Sequence, residues 1–471
     1  MSETENLFSV LRESADKATV DALRQHVEKA PDRSLVRINA LAFAANAGLD
    51  EETVIAAFLH ASVIGIFDMS WNVLCPGCGG VLETAASLKT MLGKQKEYGC
   101  ALCGQDYAPT LDEMVEVTFT VNSRARRIAA HSPDTLPVKE YLRQIYWGSG
   151  VDLPGEGYEE LLDEMLLEVI EVQPGEKAVL SLLLPAKWVL LFEPVTHVVQ
   201  VIDANGEPTQ QRQSLSVTYD RAHVLERNLR FQPGPLRIAI ENRTDMRLLP
   251  ALFIADDPLH HMLAKRRPFL TATRLLTNQT FRDLHRTDTL SIDQRLKITS
   301  LTFLFSDLRG STELYERVGD LVAFDMVNAH FKAIGEIVAS EAGAVVKTIG
   351  DAVMATFPTP DRALAAALRM REAMAMLNSG SGHEDMVLKI GIHEGPCIAV
   401  SQNEQQDYFG QTVNIAARVQ KAADAQAIFA TKSVVEHHLS VALIADKSLA
   451  LHSQMAVLRG IDQAMSLYSI G

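Results

Sequence analysis

The sequence lacks any stretch approaching about 18 uninterrupted apolar residues, which excludes a transmembrane helix. Its richest run, 54–67, is too short and carries His60 and Ser62. The first ten residues, MSETENLFSV, lack the basic and apolar segments of a secretory signal, so the chain reads as cytoplasmic. Positive charge is in deficit: 44 Lys and Arg stand against 59 Asp and Glu, a net charge of −15 with a pI near 5.4. Phosphate contact needs clustered Lys and Arg, so only a local basic patch would make such a chain a binder of nucleic acid or anionic membrane. Cysteine is scarce, five in 471 residues. Four of the five form two C-x-x-C pairs, Cys75/Cys78 and Cys100/Cys103, a pattern that in a reducing compartment favours a metal over disulfides. The fifth, Cys397 in GPCIAV, reads as a buried strand residue. What remains is an ordinary globular composition, 47% hydrophobic and 22% charged. At about 100–200 residues each, it suffices for roughly two to four domains.

Residues 1–70 read as a helical, winged-helix-like module. Over 36–67 apolar residues recur at helical spacing, Asn46-Ala47-Gly48 supplies a turn, and Asp50 caps the next helix. Helix, glycine turn and helix is the outline of a helix-turn-helix. Its second helix, EETVIAAFLHA, has no Lys or Arg with which to touch DNA. Residues 71–121 read as a zinc ribbon. The knuckles Cys75-Pro-Gly-Cys78 and Cys100-Ala-Leu-Cys103 are each followed by Gly. Lying 22 positions apart (100 − 78), they can bring four thiolates around one Zn²⁺. A closed four-Cys set leaves no open coordination position, so this zinc is structural. The run VEVTFTV at 115–121 alternates like a strand. Residues 122–164 read as a connecting region. Over 165–256 short alternating runs such as KAVLSLLL and LRIAIEN recur between turns, the pattern of an antiparallel β-sandwich. Residues 257–296 read as a helical linker that Pro268 kinks or restarts, placed to act as a coupling element ahead of residue 297.

From 297 to 471 the pattern becomes mixed α/β. A strand at 298–308, ITSLTFLFSDL, puts Leu301, Phe303, Phe305 and Asp307 on one face. An acid ending an apolar strand is costly unless it has a job, such as holding a cation. Gly310, Ser311 and Thr312 then open a helix, whose free N–H groups make an anion site. After a helix over 325–341, AVVKTI-GD-AVMATF reads as a β-hairpin with Asp351 at its tip. Strand, helix, hairpin begins a ferredoxin-like or palm-type βαββαβ fold. That fold brings Asp307 and Asp351 together despite 44 residues of separation (351 − 307), at a good two-metal site.

The segments FSDLRGST (305–312), KTIGDAVMATF (347–357), KIGIHEGP (389–396) and DYFGQTVNIAARV (407–419) resemble the class III adenylate and guanylate cyclases, in order and at family spacing. The resemblance covers about 297–435. It implies that Asp307 and Asp351, with Leu308 beside them, hold two Mg²⁺ or Mn²⁺, and that Lys347 and Asp407 read the base. It also implies that Gly310, Ser311 and Thr312 meet the substrate, and that Asn414 and Arg418 orient the ribose and stabilise the transition state. Adenine offers an N1 acceptor and an N6 donor, which a Lys and an Asp complement; guanine presents the opposite edge. The residues therefore favour ATP and cyclic AMP over GTP. In the family the metal and base-reading residues come from opposite subunits, so a complete set in one chain implies a homodimer.

One departure is Ala399-Val400, where many family members carry Gly. The hairpin reads TIGDAVM rather than GG[DE]EF, against a diguanylate cyclase. The N-terminal half resembles an uncharacterised region ahead of some bacterial cyclases and implies regulation by an unknown ligand or protein. The whole is thus expected to be multidomain α+β. Two alternatives stay open: a guanylate cyclase, which Lys347 and Asp407 disfavour, and a nucleotide-sensing regulator that binds nucleic acid, which the acidic charge opposes.

Overall fold

The computed structural model describes residues 3–91, 97–220, 226–255, 257–285, 296–381, 387–402, 405–423, 427–459, 461 and 464–471. The chain forms two compact units, one of Met1–Ala86, Lys94–Pro109 and Glu116–Leu270, the other of Ser87–Gly93, Thr110–Val115 and Thr271–Gly471. No helix among the described residues is long and apolar enough to cross a membrane.

The first unit opens with helices Glu3–Ser14, Lys17–Lys29, Ala40–Ala47 and Glu51–Val63. Their ends are set by side chains. Asp16 accepts the Thr19 N–H, Asn39 those of Leu41 and Ala42, and Asp50 that of Thr53. Gly48, left-handed at φ +66°, closes the third helix at the expected turn. The chain then enters a three-stranded sheet, Val81–Ala85, Phe67–Leu74 and Val115–Val121, so a module boundary at 70/71 falls inside a strand.

The stretch 122–164, expected to connect, instead builds core. Leu142, Tyr146, Trp147, Tyr158 and Leu162 are buried with Cys75, Phe192 and Leu249 in one cluster. Leu142 and Tyr146 sit on a five-residue helical turn too short to show a period, and Tyr158 and Leu162 share one face of the eight-residue helix Tyr158–Met165. Beyond them are a five-stranded and a three-stranded sheet sharing a core that includes Val189, Leu191, Ile202, Val217, Leu236 and Ile240. An all-antiparallel pattern was expected, but two pairs are parallel: Gln213–Tyr219 with Gly234–Asn242, and Asn228–Phe231 with Val198–Ala204. From Val198 onward successive strands alternate between the sheets, so Asn228–Phe231 and Gly234–Asn242 each lie beside the strand two back.

The linker is not one helix among the described residues. It is three short ones, Asp257–Ala264, Ala272–Leu276 and Gln279–Leu284. Pro268 lies in the first break, and Thr271 and Asn278 restart the helix by accepting the N–H groups of Arg274 and Phe281. Residues 286–295 of that expected linker lie outside the described residues.

The second unit runs β1 (Leu296–Leu308), α1 (Ser311–Val318), α2 (Asp320–Ser340), β2 (Ala344–Ile349), β3 (Ala352–Phe357), α3 (Pro360–Ser381), β4 (Leu388–Gln402), β5 (Gln405–Phe409), α4 (Gln411–Ala422), β6 (Ile428–Thr431), α5 (Lys432–Val435), α6 (His438–Asp446), β7 (Leu451–Ala456) and β8 (Met465–Ile470). Its sheet is ordered β2-β3-β1-β4-β6-β8-β7, with β5 paired to β4. Among the first four strands each hydrogen-bonded pair is antiparallel, in the βαββαβ order. One face packs on α2 and α3 through Leu304, Val353, Phe357, Ile334, Val338 and Met370. Near α4 a second cluster gathers Ile415, Val419, Phe429 and Leu467. Helix α2 starts at Asp320 rather than 325, because its first turn carries the exposed Leu321, Val322 and Phe324, which mask its periodicity. Cys397 is buried on β4, as its context suggested, and burial pushes its thiol up to about 12.

Candidate active site and cysteine cluster

Register places the acids. Ser306 on β1 lies opposite Val353 on β3, and Ile349 opposite Ala352 across the hairpin, leaving Gly350 and Asp351 as a two-residue turn. Burial raises the Asp307 carboxyl above its usual value, and the charge of Asp351 raises it further. Gln420 Nε2, which donates to Asp307 Oδ2 at 3.4 Å, pulls it back, as do Lys389 and Lys421. Asp351 Oδ2 is buried and lacks a hydrogen-bond partner. Two mutually repelling carboxylates, one with an orphaned oxygen, fit a hard divalent cation. The Leu308 side chain is buried in the core, so only its main chain could serve a metal. Two carboxylates are a short set, of the kind Mg²⁺ completes with water and substrate phosphates. Beside them Gly310 takes φ +71° at the start of α1. The first-turn N–H groups of α1 have no intrahelical acceptor. The side chains of Ser311 and Thr312 lie outside the described residues.

Lys347 on β2 and Asp407 on β5 meet directly, Lys347 Nζ donating to Asp407 Oδ2 at 2.6 Å. The other oxygen, Oδ1, accepts the Tyr408 N–H at 2.9 Å. The aspartate side chain is 9% exposed and the lysine 42%, so one partner is fixed and the other can reach out. Sequence reasoning missed what holds them. Arg282 Nη2 donates to the carbonyls of Val346 (3.3 Å) and Gln406 (3.0 Å), the residues before Lys347 and Asp407. Gln279 Oε1 accepts the Val345 N–H at 2.9 Å. Both residues bond main-chain groups, which leave no pattern in a sequence.

Helix α4 carries Asn414, exposed, and Arg418, half-buried. It lies against β4 because position 391 is glycine: a Cβ there would sit 2.1 Å from the Gln420 amide nitrogen. That approach brings Gln420 to Asp307, a contact sequence reasoning also missed. At 100° per residue Arg418 points about 160° away from Gln420 around the helix. The metal-type acids and the Asn414/Arg418 pair therefore do not converge through the Gln420 face of α4.

In the first unit the ligand atoms of Cys75, Cys78, Cys100 and Cys103 all lie within 4.8 Å of one another. The Cys75–Cys103 and Cys78–Cys100 sulfurs are 3.6 and 3.7 Å apart. A tetrahedron with zinc–sulfur bonds of about 2.3 Å has edges of roughly 3.8 Å. The N–H groups of Cys78, Gly80 and Cys103 donate to the Cys75, Cys78 and Cys100 sulfurs at 3.4–3.5 Å. The cluster is compatible with a zinc site, and the amides would disperse thiolate charge.

Residues 1–283 match a family of unknown function (DUF5939), and residues 294–465 match the adenylate and guanylate cyclase catalytic domain. The chain belongs to the first family, and its residues 294–465 carry a domain of the second. Over 185 residues it is 28% identical to an adenylate cyclase of Anabaena cylindrica, covering 36% of this chain and 36% of that protein. Over 130 residues it is 34% identical to adenylate cyclase 2 of Rhizobium meliloti (strain 1021), covering 25% and 36%. A crystal structure of the guanylyl cyclase Cya2 aligns at a TM-score of 0.33 and 20% identity, over 38% of this chain and 92% of that one. The chain thus spans about a third of the length of these two relatives. The cyclase match contains all six residues at 307, 347, 351, 407, 414 and 418.

Proposed function

We propose that the protein is a cytoplasmic adenylate cyclase, converting ATP to 3′,5′-cyclic AMP and pyrophosphate. The observation that carries ATP as substrate is the Lys347–Asp407 bond, a fixed acceptor beside a mobile donor. Lys347 donates to adenine N1 while Asp407 accepts from the N6 amino group. Guanine would set its own N1–H donor against the ammonium.

Asp307 and Asp351, with the main chain of Leu308, would hold two Mg²⁺ or Mn²⁺. Bound there, these ions acidify the ribose 3′-hydroxyl and neutralise the phosphates. The first-turn amides of α1, after Gly310, face phosphate oxygens. Asn414 orients the ribose so that O3′ stands in line with the α-phosphorus. As the O3′–P bond forms, the bond to the bridging oxygen of pyrophosphate breaks and the hydroxyl proton is released. Arg418 offsets the charge that builds on the α-phosphate oxygens.

Two features support a homodimer. Arg418 points away from the Gln420 face, and Leu321, Phe324, Ile349 and Phe409 are exposed apolar side chains on elements bearing or flanking the site. One structural Zn²⁺ per chain fits the four cysteines. We assign the N-terminal half a regulatory role.

The test is product formation by the purified chain from ATP or GTP, with Mg²⁺ or Mn²⁺. Cyclic AMP is expected, with specific activity rising with protein concentration as dimers form. Asp351→Ala should cost about a hundredfold or more. Lys347→Glu should shift the ATP/GTP preference by about tenfold or more toward GTP. Cyclic GMP as the main product of the parent chain, or unchanged selectivity in Lys347→Glu, would overturn the base assignment.

A further inference from the structure

The first unit contains a cavity of about 370 Å³ that neither the cysteine cluster nor the cyclase chemistry uses. Its size falls at the lower end of small-molecule pockets. Its walls come from residues 26–46, from 143–155 and from Arg267. In a chain of net charge −15, four arginines line this hollow, Arg33, Arg37, Arg143 and Arg267, and no Asp or Glu does.

Two of the four are partly neutralised nearby. Glu116 offsets Arg37; it is fully buried and accepts hydrogen bonds from the Ser149 N–H and hydroxyl and from Asn72 Nδ2. Asp152 stands 3.8 Å from Arg267. Arg143 is different. Its Nη2 donates to the carbonyls of Pro154 (2.9 Å) and Gly155 (3.2 Å), which hold it without neutralising it. Burial and then the charge of Arg33 disfavour its guanidinium form, with Glu140 and Glu159, neither of which lines the cavity, acting in the opposite direction. A partly buried guanidinium that feels a second positive charge is stabilised by a nearby anion.

Unpaired polar atoms mark the same wall. Gln144 is 7% exposed and its Oε1 has no hydrogen-bond partner; Arg37 Nη1 is buried and also has none. A buried orphan is costly, so a ligand that meets it is favoured. Residues Leu142–Tyr146 form a π-helical turn, and both Arg143 and Gln144 on it line the cavity. Phe43, Trp147 and Leu153 add apolar and aromatic surface to a wall that also carries His26, Ser34, Asn39, Asn46 and Ser149.

We propose that this cavity binds a small organic anion, a phosphate- or carboxylate-bearing molecule with an aromatic or apolar body and a hydrogen-bond donor. The arginines take the anionic group, Gln144 Oε1 accepts from the donor, and Phe43 and Trp147 cover the body. The proposal does not depend on the cyclase reading, because binding can be measured without turnover.

The experiment is calorimetric titration of the full-length protein with phenyl phosphate and with benzoate, which separate phosphate from carboxylate, and with benzyl alcohol as the uncharged control. At least one anion should bind at one per chain and benzyl alcohol should not. Arg143→Gln should weaken binding by about tenfold or more, the loss of one charge-assisted contact. Gln144→Leu should weaken it by about threefold for a ligand carrying a donor, tested with 4-hydroxybenzoate against benzoate. Asp351→Ala, in the other unit, should bind like the parent. The proposal is overturned if neither anion binds up to about 10 mM, if benzyl alcohol binds equally well, or if Arg143→Gln leaves the affinity unchanged in a protein that unfolds at the parent temperature.

Discussion

The chain carries two sets of candidate metal ligands, and they treat their ligand atoms in opposite ways. Four sulfurs in the first unit gather within 4.8 Å, and main-chain N–H groups already point at three of them. In the second unit burial and the charge of Asp351 raise the cost of ionising Asp307, and one Asp351 oxygen is left without a donor. The sulfur set is complete in number, so a cation there becomes part of the fold. The carboxylate set is short and strained by repulsion. A cation there keeps coordination positions for phosphate oxygens, and it can exchange. Closure fits scaffolding and shortage fits chemistry.

The largest expected effect tests the closed set. Structural zinc sites contribute about 10–16 kcal/mol of apparent binding free energy. Cys78→Ser should therefore abolish zinc retention, read by atomic absorption, and open the first unit to limited proteolysis. Gly77 sharpens the expectation, since a Cβ there would sit 2.9 Å from Cys103 Sγ, so the knuckle has no slack. Full zinc content in Cys78→Ser would remove the contrast. A smaller effect separates the sets by exchange. A brief EDTA pulse should stop cyclic nucleotide synthesis by about a hundredfold and excess Mg²⁺ should restore it. Zinc content should stay constant throughout. Loss of both metals together would place the sulfur set among the open ones.

The same contrast explains what the sequence disclosed. Cysteines at C-x-x-C spacing and an acid at the end of an apolar strand are local signals, and each survives translation into three dimensions. The Gly350-Asp351 hairpin was legible because a two-residue turn between alternating runs admits few structures. Lys347 and Asp407, 60 residues apart, were legible only through the likeness to a family. What stayed hidden were contacts between side chains and main chain. Arg282 and Gln279 fell in a stretch read as a linker helix, and Gln420 looked like one more polar helix residue. The core role of 138–146 was hidden too, because helical turns of four or five residues show no period. The parallel strand pairs of the first unit follow from how the chain alternates between two sheets, and strand pattern alone does not carry that.

The smallest effect reads the repulsion itself. The Asp307 carboxyl lies above its usual 3.8 because of burial first and Asp351 second. A carboxyl raised on folding binds its proton more tightly in the folded state. The contribution of Asp307 to the stability of the cation-free protein is therefore full below 3.8 and is lost as pH rises through the folded-state value. Asp351→Asn removes the second cause and leaves the first. Solvent screens a partly exposed pair, so the gain is modest. Without divalent cations the variant should unfold about 1–2 °C above the parent at neutral pH. That difference should shrink to nothing as pH falls below the usual aspartate value, where Asp307 is protonated in both proteins. Millimolar Mg²⁺ should then reverse the order, because the parent gains a bound ion and the variant has lost a ligand for it. If calorimetry finds the variant no more stable than the parent at neutral pH, the carboxylates do not feel each other. Asp351 would then be a turn residue rather than half of a cation site.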